Sequence, residues 1–189
     1  DLSEEADLAL KVTKNRSLMA HFQKAIAQSN LGDIEASKKS FQQVLNLTEK
    51  NENVAARASN YSIMAALYDR QLQRTDSAQY YLEKAKALDP GNIDYVIQEG
   101  SMYAGHKNYT KAFDSYDAAT LINPNSQMLY EERANTRLKM MSEKYGTSKA
   151  QELRTKMSQS EKTALCEDLN KALSLGLQDM NKDMFAALV

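Results

Sequence analysis

The chain has 189 residues, a formal net charge of −1, 42% hydrophobic and 26% charged residues. That balance belongs to a folded protein, excludes an intrinsically disordered one, and supplies no electrostatic pull toward nucleic acid or an anionic membrane surface. Two prolines and six glycines among many Ala, Leu, Lys, Gln and Glu favour helix almost throughout, and a single cysteine, Cys166, excludes an intramolecular disulfide. No apolar run approaches the roughly 18 residues of a bilayer span, so no direct membrane insertion is expected. The chain opens on Asp1, which reads as a processed or trimmed form and leaves the compartment open.

Residues 1–14 read as one helix, capped by Ser3, with Glu4, Glu5 and Asp7 near the positive end of its dipole. Its uneven stripe of Leu2, Ala6, Ala9, Leu10 and Thr13 suits a leading cap, or the second helix of a repeat cut away upstream; the latter is preferred, and 1–16 is set apart from the helices that begin at Ser17. From about Ser17 to Lys50, Leu18, Phe22, Ala25 and Ile26 recur at helical spacing. Leu31-Gly32-Asp33-Ile34 is then a turn in which Gly32 takes positive φ and Asp33 caps a second helix carrying Phe41, Val44 and Leu45.

From about Val54 to Pro90, Tyr61, Met64, Ala65 and Tyr68 mark a first helix. Ala78, Tyr81, Leu82, Ala85 and Leu88 mark a second, capped by Thr75 or Asp76 and ended by Pro90. Between Ile93 and Pro124 the pattern is cleanest: small Gly100, Ala112 and Ala119 fall where paired helices approach, and Tyr103 and Tyr116 fill the gaps beside them. A fourth unit has a first helix from near Gln127 (Tyr130, Ala134, Leu138, Met141) and a second over Glu161 to Leu175 (Leu165, Leu169, Ala172, Leu173). Ala134 and Leu169 are 35 residues apart where Ala25 and Phe41 are 16 apart, so about 19 residues are extra. The polar stretch near 142–160 accommodates them as an extended first helix, a turn at Gly146-Thr147-Ser148 and a short mobile helical segment. Residues 177–189 read as a closing helix, capped by Asp179 or Asn181, with Met180, Met184, Phe185 and Leu188 covering the last apolar face.

Asp89-Pro90-Gly91-Asn92 is echoed by Asn123-Pro124-Asn125-Ser126, with the prolines 34 residues apart. Ala78, Leu82 and Ala85 match Ala112, Tyr116 and Ala119 at the same offset. A period of 34 closed by Pro is the pattern of the tetratricopeptide repeat, a helix–turn–helix unit, and residues 17–176 resemble that family. The resemblance implies an all-α, right-handed α-α superhelix of three to four repeats that binds proteins or peptides in its concave groove. The segment Leu165 to Gly176, with its Cys-x-Asp-Leu start and Lys-Ala-Leu-x-Leu-Gly end, resembles the last repeat of many such proteins from the Bacteroidetes group of bacteria. Many of those are exported lipoproteins or sensor-associated proteins, so a periplasmic or exported location is favoured over the cytoplasm.

Carried over to this chain, the resemblance lines the groove with first-helix residues, among them Phe22, Ile26, Ser62, Ala66, Asp69, Asp94, Ile97, Ser101, Glu131 and Asn135. Such a floor, small and apolar with a few acids, suits an extended or helical segment with apolar anchors and some positive charge. A competing reading packs Phe22 and Ile26 on the leading helix. The family's carboxylate clamp needs lysines that are missing from the matching places, Phe22, Ile26, Ser62 and Ala66, so chaperone-tail binding is not expected.

Nothing points to catalysis. His21 and His106 lack partners at metal-ligand spacing, Cys166 sits among Glu167 and Asp168 without an activating base, and no phosphate-binding Gly-rich loop is present. The function expected is a non-catalytic protein- or peptide-binding scaffold with no metal, no small-molecule cofactor and no nucleic acid. The alternative is a sensor or regulatory module cut from a larger signalling protein.

Overall fold

The computed structural model describes residues 2–14, 17–70 and 72–177, and among them it holds ten helices and no strand. The first five are α1 Leu2–Val12, α2 Leu18–Asn30, α3 Ile34–Glu49, α4 Val54–Arg70 and α5 Thr75–Leu88. The others are α6 Ile93–Gly105, α7 Tyr109–Ile122, α8 Gln127–Tyr145, α9 Ala150–Lys156 and α10 Gln159–Ser174. The all-α expectation therefore holds. Ser3 lies inside α1 rather than ahead of it, and residues 178–189, expected to close the array, lie outside the described residues.

Short polar residues punctuate the chain. Ser17, Asp33, Asn53, Asn92, Asn108, Ser126 and Ser158 each accept a backbone N–H with the side chain at a helix start. Such a cap stabilises its helix by about 1 kcal/mol. At the start of α10 the bond is reciprocal, because Glu161 accepts the Ser158 N–H in return. The expected cap of α5 is corrected: Thr75 begins the helix, Asp76 lies in its first turn, and Arg74 stands ahead of them without a side-chain cap. Gly32 adopts φ +81° in the turn before α3, as its position requires.

The chain divides into two compact units, residues 1–89 and 90–189, with the boundary at Asp89 and Pro90. In the first, α1 packs on α2, α2 pairs with α3, α4 pairs with α5, and α3 touches α4. Its interior is ringed. Phe22 meets Phe41 edge-on at 5.2 Å and Tyr68 at 5.5 Å, Tyr68 stacks on Tyr81 at 5.2 Å, and Tyr81 on Tyr61 at 6.0 Å.

In the second unit α6 pairs with α7 and α8 with α10, while α8 also contacts α6 and α7. Tyr116 is fully buried against Gly100, where a Cβ would lie only 2.5 Å from the ring. That contact is why the small residue is needed. The extra residues of the last pair build the end of α8, a left-handed Gly146 stop, and α9. Within the segment expected to be mobile, Leu153 and Met157 are buried in one cluster with Met141, Leu165 and Leu169.

Candidate functional site

The first helices of the pairs are α2 and α4 in one unit and α6 and α8 in the other, and each unit presents its own face. On α4, Ser62, Ala66 and Asp69 are half-buried and lie on one side of the helix by their spacing. On α2, Ile26 is half-buried, but Phe22 is fully buried among Phe41 and Tyr68 and offers no surface to a ligand. The repeat resemblance put it on the groove floor; the rings that close over it come from α3 and α4, which spacing within α2 cannot reveal.

Ile97 is the second correction. It is 3% exposed and packs in the cluster of Leu129, Ala112, Tyr116 and Ala119, because α6 is covered on one side by α7 and on another by α8. The remaining candidates of this unit are accessible. Asp94 is exposed, while Ser101 on α6 and Glu131 and Asn135 on α8 are half-buried.

Three polar contacts tie α6 to α8. Ser101 Oγ donates to Glu132 Oε2 at 2.8 Å, Lys139 Nζ donates to the Ala104 carbonyl at 2.9 Å, and Lys107, just beyond α6, pairs with Glu143 at 3.3 Å. The Tyr116 hydroxyl extends the first of these inward, lying 3.2 Å from Ser101 Oγ and 3.1 Å from Thr136 Oγ1. Burial pushes the Tyr116 phenol above its ordinary range, with the bonds to Ser101 and Thr136 opposing, so it stays protonated at neutral pH and joins three helices.

Behind this frame lies an ion cluster that sequence reasoning missed. Asp168 of α10 is 5% exposed and accepts Arg137 Nε at 2.6 Å. Arg133 Nε is 3.3 Å from its other oxygen but off the hydrogen-bond axis, while Arg133 Nη1 reaches Asp117 at 3.1 Å. The Arg137 guanidinium also lies 4.6 Å from the centre of the Phe113 ring. The four-residue spacing of the two arginines signals a shared helix face, but their partner comes from 31 residues farther on. Cys166 is half-buried on α10 and lines a polar cleft with Arg154, Lys162 and Thr163. Among the described residues no group of three or more His, Cys, Asp or Glu is placed to hold a metal ion, and no helix is long and apolar enough to cross a membrane.

A family model, that of the tetratricopeptide repeat, matches residues 20–51, which take in most of α2 and all of α3. Over that stretch the chain is similar to a repeat whose family serves, in general, as a module for protein–protein contact. The paired helices found elsewhere in the described chain agree with that likeness. No curated protein matches the chain.

Proposed function

We propose that this protein is a non-catalytic binding module that holds a segment of another protein, or a peptide, on the first-helix faces of its repeats. The observation that carries the reading is the frame of α6 and α8, tied by Ser101 to Glu132, Lys139 to Ala104 and Lys107 to Glu143. Asp94, Glu131 and Asn135 stand accessible on those two helices. A frame already in place loses little conformational freedom on binding. Its carboxylates favour a partner segment that carries Lys or Arg and disfavour the phosphates of nucleic acid.

In the other unit Ile26, Ser62, Ala66 and Asp69 present a small, weakly acidic surface of the same character. With Phe22 and Ile97 in the interior, charge and shape weigh more in recognition than apolar anchoring. On this reading the protein is a scaffold rather than an enzyme and needs no cofactor. The reading is tested by selecting a random peptide library on the immobilised protein and on an Asp94→Lys, Glu131→Lys double variant. The selected peptides should be rich in Lys and Arg, bind the variant at least tenfold more weakly, and lose that difference as salt is raised. Selected peptides without basic bias, or indifferent to the two substitutions, would sink the reading.

A further inference from the structure

We infer that the first unit carries a second recognition site, away from its first-helix face, which takes the carboxylate of one internal Asp or Glu of a partner segment together with an apolar neighbour of that residue. The site is a pocket of about 310 Å³ lined by Glu49, Arg57, Tyr61, Lys84, Ala87 and Leu88. It is built where the last turns of α3 and α5 meet the first turns of α4. At 3.6 residues per turn, Arg57 and Tyr61 lie roughly 80–180° around α4 from Ser62, Ala66 and Asp69, on a different side of the helix. A ligand here therefore does not compete for that face.

The chemistry of the pocket comes from how its charges are held. Lys84 Nζ sits between two rings, 5.1 Å from the centre of Tyr61 and 5.0 Å from that of Tyr80. The bond to Tyr80 raises its pKa above the ordinary lysine value, so it is a fixed cation at any physiological pH. Its carboxylate neighbour, Glu49, is 4.0 Å away and largely exposed, a long and weak pair. Among the described residues no hydrogen bond or ion pair engages the half-buried Arg57 guanidinium.

Two cations therefore face one carboxylate, and the balance is met by one further negative charge. The forked donors of Arg57 suit a carboxylate taken bidentately, with Lys84 as a second, point-like contact. A phosphomonoester, or an acidic residue at a free C-terminus, would bring two negative charges to a pocket with one to neutralise and would press against Glu49. The buried ring of Tyr61 with Ala87 and Leu88 forms an apolar wall that takes the methylenes of the acid and an aliphatic neighbour.

The test is a titration of the full 189-residue chain, ¹⁵N-labelled, with the blocked peptide Ac-Ser-Leu-Glu-Leu-Ser-NH₂ and with versions carrying Gln or phosphoserine in place of Glu. Amide shifts should gather at Arg57, Tyr61, Lys84 and Leu88, and the Gln peptide should bind at least tenfold more weakly. Arg57→Gln should lower affinity for the Glu peptide at least tenfold and abolish the preference over Gln. Glu49→Gln should tighten the Glu peptide several-fold, a gain that only a folded protein can show. Equal affinity for the Glu and Gln peptides, shifts gathered elsewhere, or a phosphoserine peptide that binds tightest would each overturn the inference. The Asp94→Lys, Glu131→Lys protein keeps this pocket unaltered, so the two proposals fail separately.

Discussion

In the first unit Phe22, Phe41, Tyr61, Tyr68 and Tyr81 run in ring-to-ring contact across α2, α3, α4 and α5. In the second, the central ring of Tyr116 ends in hydrogen bonds to α6 and α8, and the last helix is held through Asp168 and two arginines. Ring packing supplies much buried area with loose angular demands, whereas hydrogen bonds and ion pairs weaken steeply when helices slide. The first arrangement gives bulk stability. The second fixes the register of α6 against α8, and it is on those helices that the accessible acids stand.

Substitutions that remove one kind of support at a time bear directly on that contrast. The largest effect is expected from Phe22→Ala, which deletes a fully buried ring and should destabilise by about 4 kcal/mol in urea unfolding. Amide exchange should rise more in residues 2–89 than in 90–177; a uniform rise would mean that the rings do not serve the first unit in particular. Asp168→Ala should come next at about 3 kcal/mol, because it leaves Arg137 with only the Phe113 ring and Arg133 with only Asp117 in a partly buried site. A loss no greater than that of a surface change would show the cluster to be ornamental.

Tyr116→Phe keeps the ring and removes the hydroxyl, for an expected loss of about 1 kcal/mol. Its distinguishing sign is faster exchange in α6 and α8 together rather than in α7 alone.

The smallest effect concerns Glu161, whose carboxyl is lowered to about 2, first by its bond with Lys144 and then by the Ser158 N–H. Because the folded value lies below the unfolded one of roughly 4.3, its contribution is complete above about pH 4.5 and disappears as pH falls toward 2. An acid titration of Tm should show that slope in the native chain and a shallower one in Glu161→Gln.

The period marked by Pro90 and Pro124, the turn at Gly32 and Asp33, and the small residues Gly100, Ala112 and Ala119 were legible because each is a local or strictly repeated requirement. Less was legible at the candidate site. Phe22 and Ile97 each meet their own pair partner on one side, and their burial is completed by the next helix, through Tyr68 of α4 and Leu129 of α8, which spacing along one helix does not reveal. The stretch 142–160 read as polar because its two apolar residues that matter, Leu153 in α9 and Met157 just past its end, are isolated among polar and charged neighbours. Asp168 pairs with residues 31 and 35 positions away, outside the reach of any local rule.

Cys166 has a consequence for how the protein can be handled. It is the sequence's one thiol, half-buried on α10, and it shares a cleft with Arg154 of α9. A maleimide fluorophore coupled to the native protein would thus attach at one known position, with no cysteine to engineer in or out. Its emission would register the lifting of α9 from α10 in real time, so undocking of the inserted helix could be timed during peptide binding or heating without a label anywhere else in the chain.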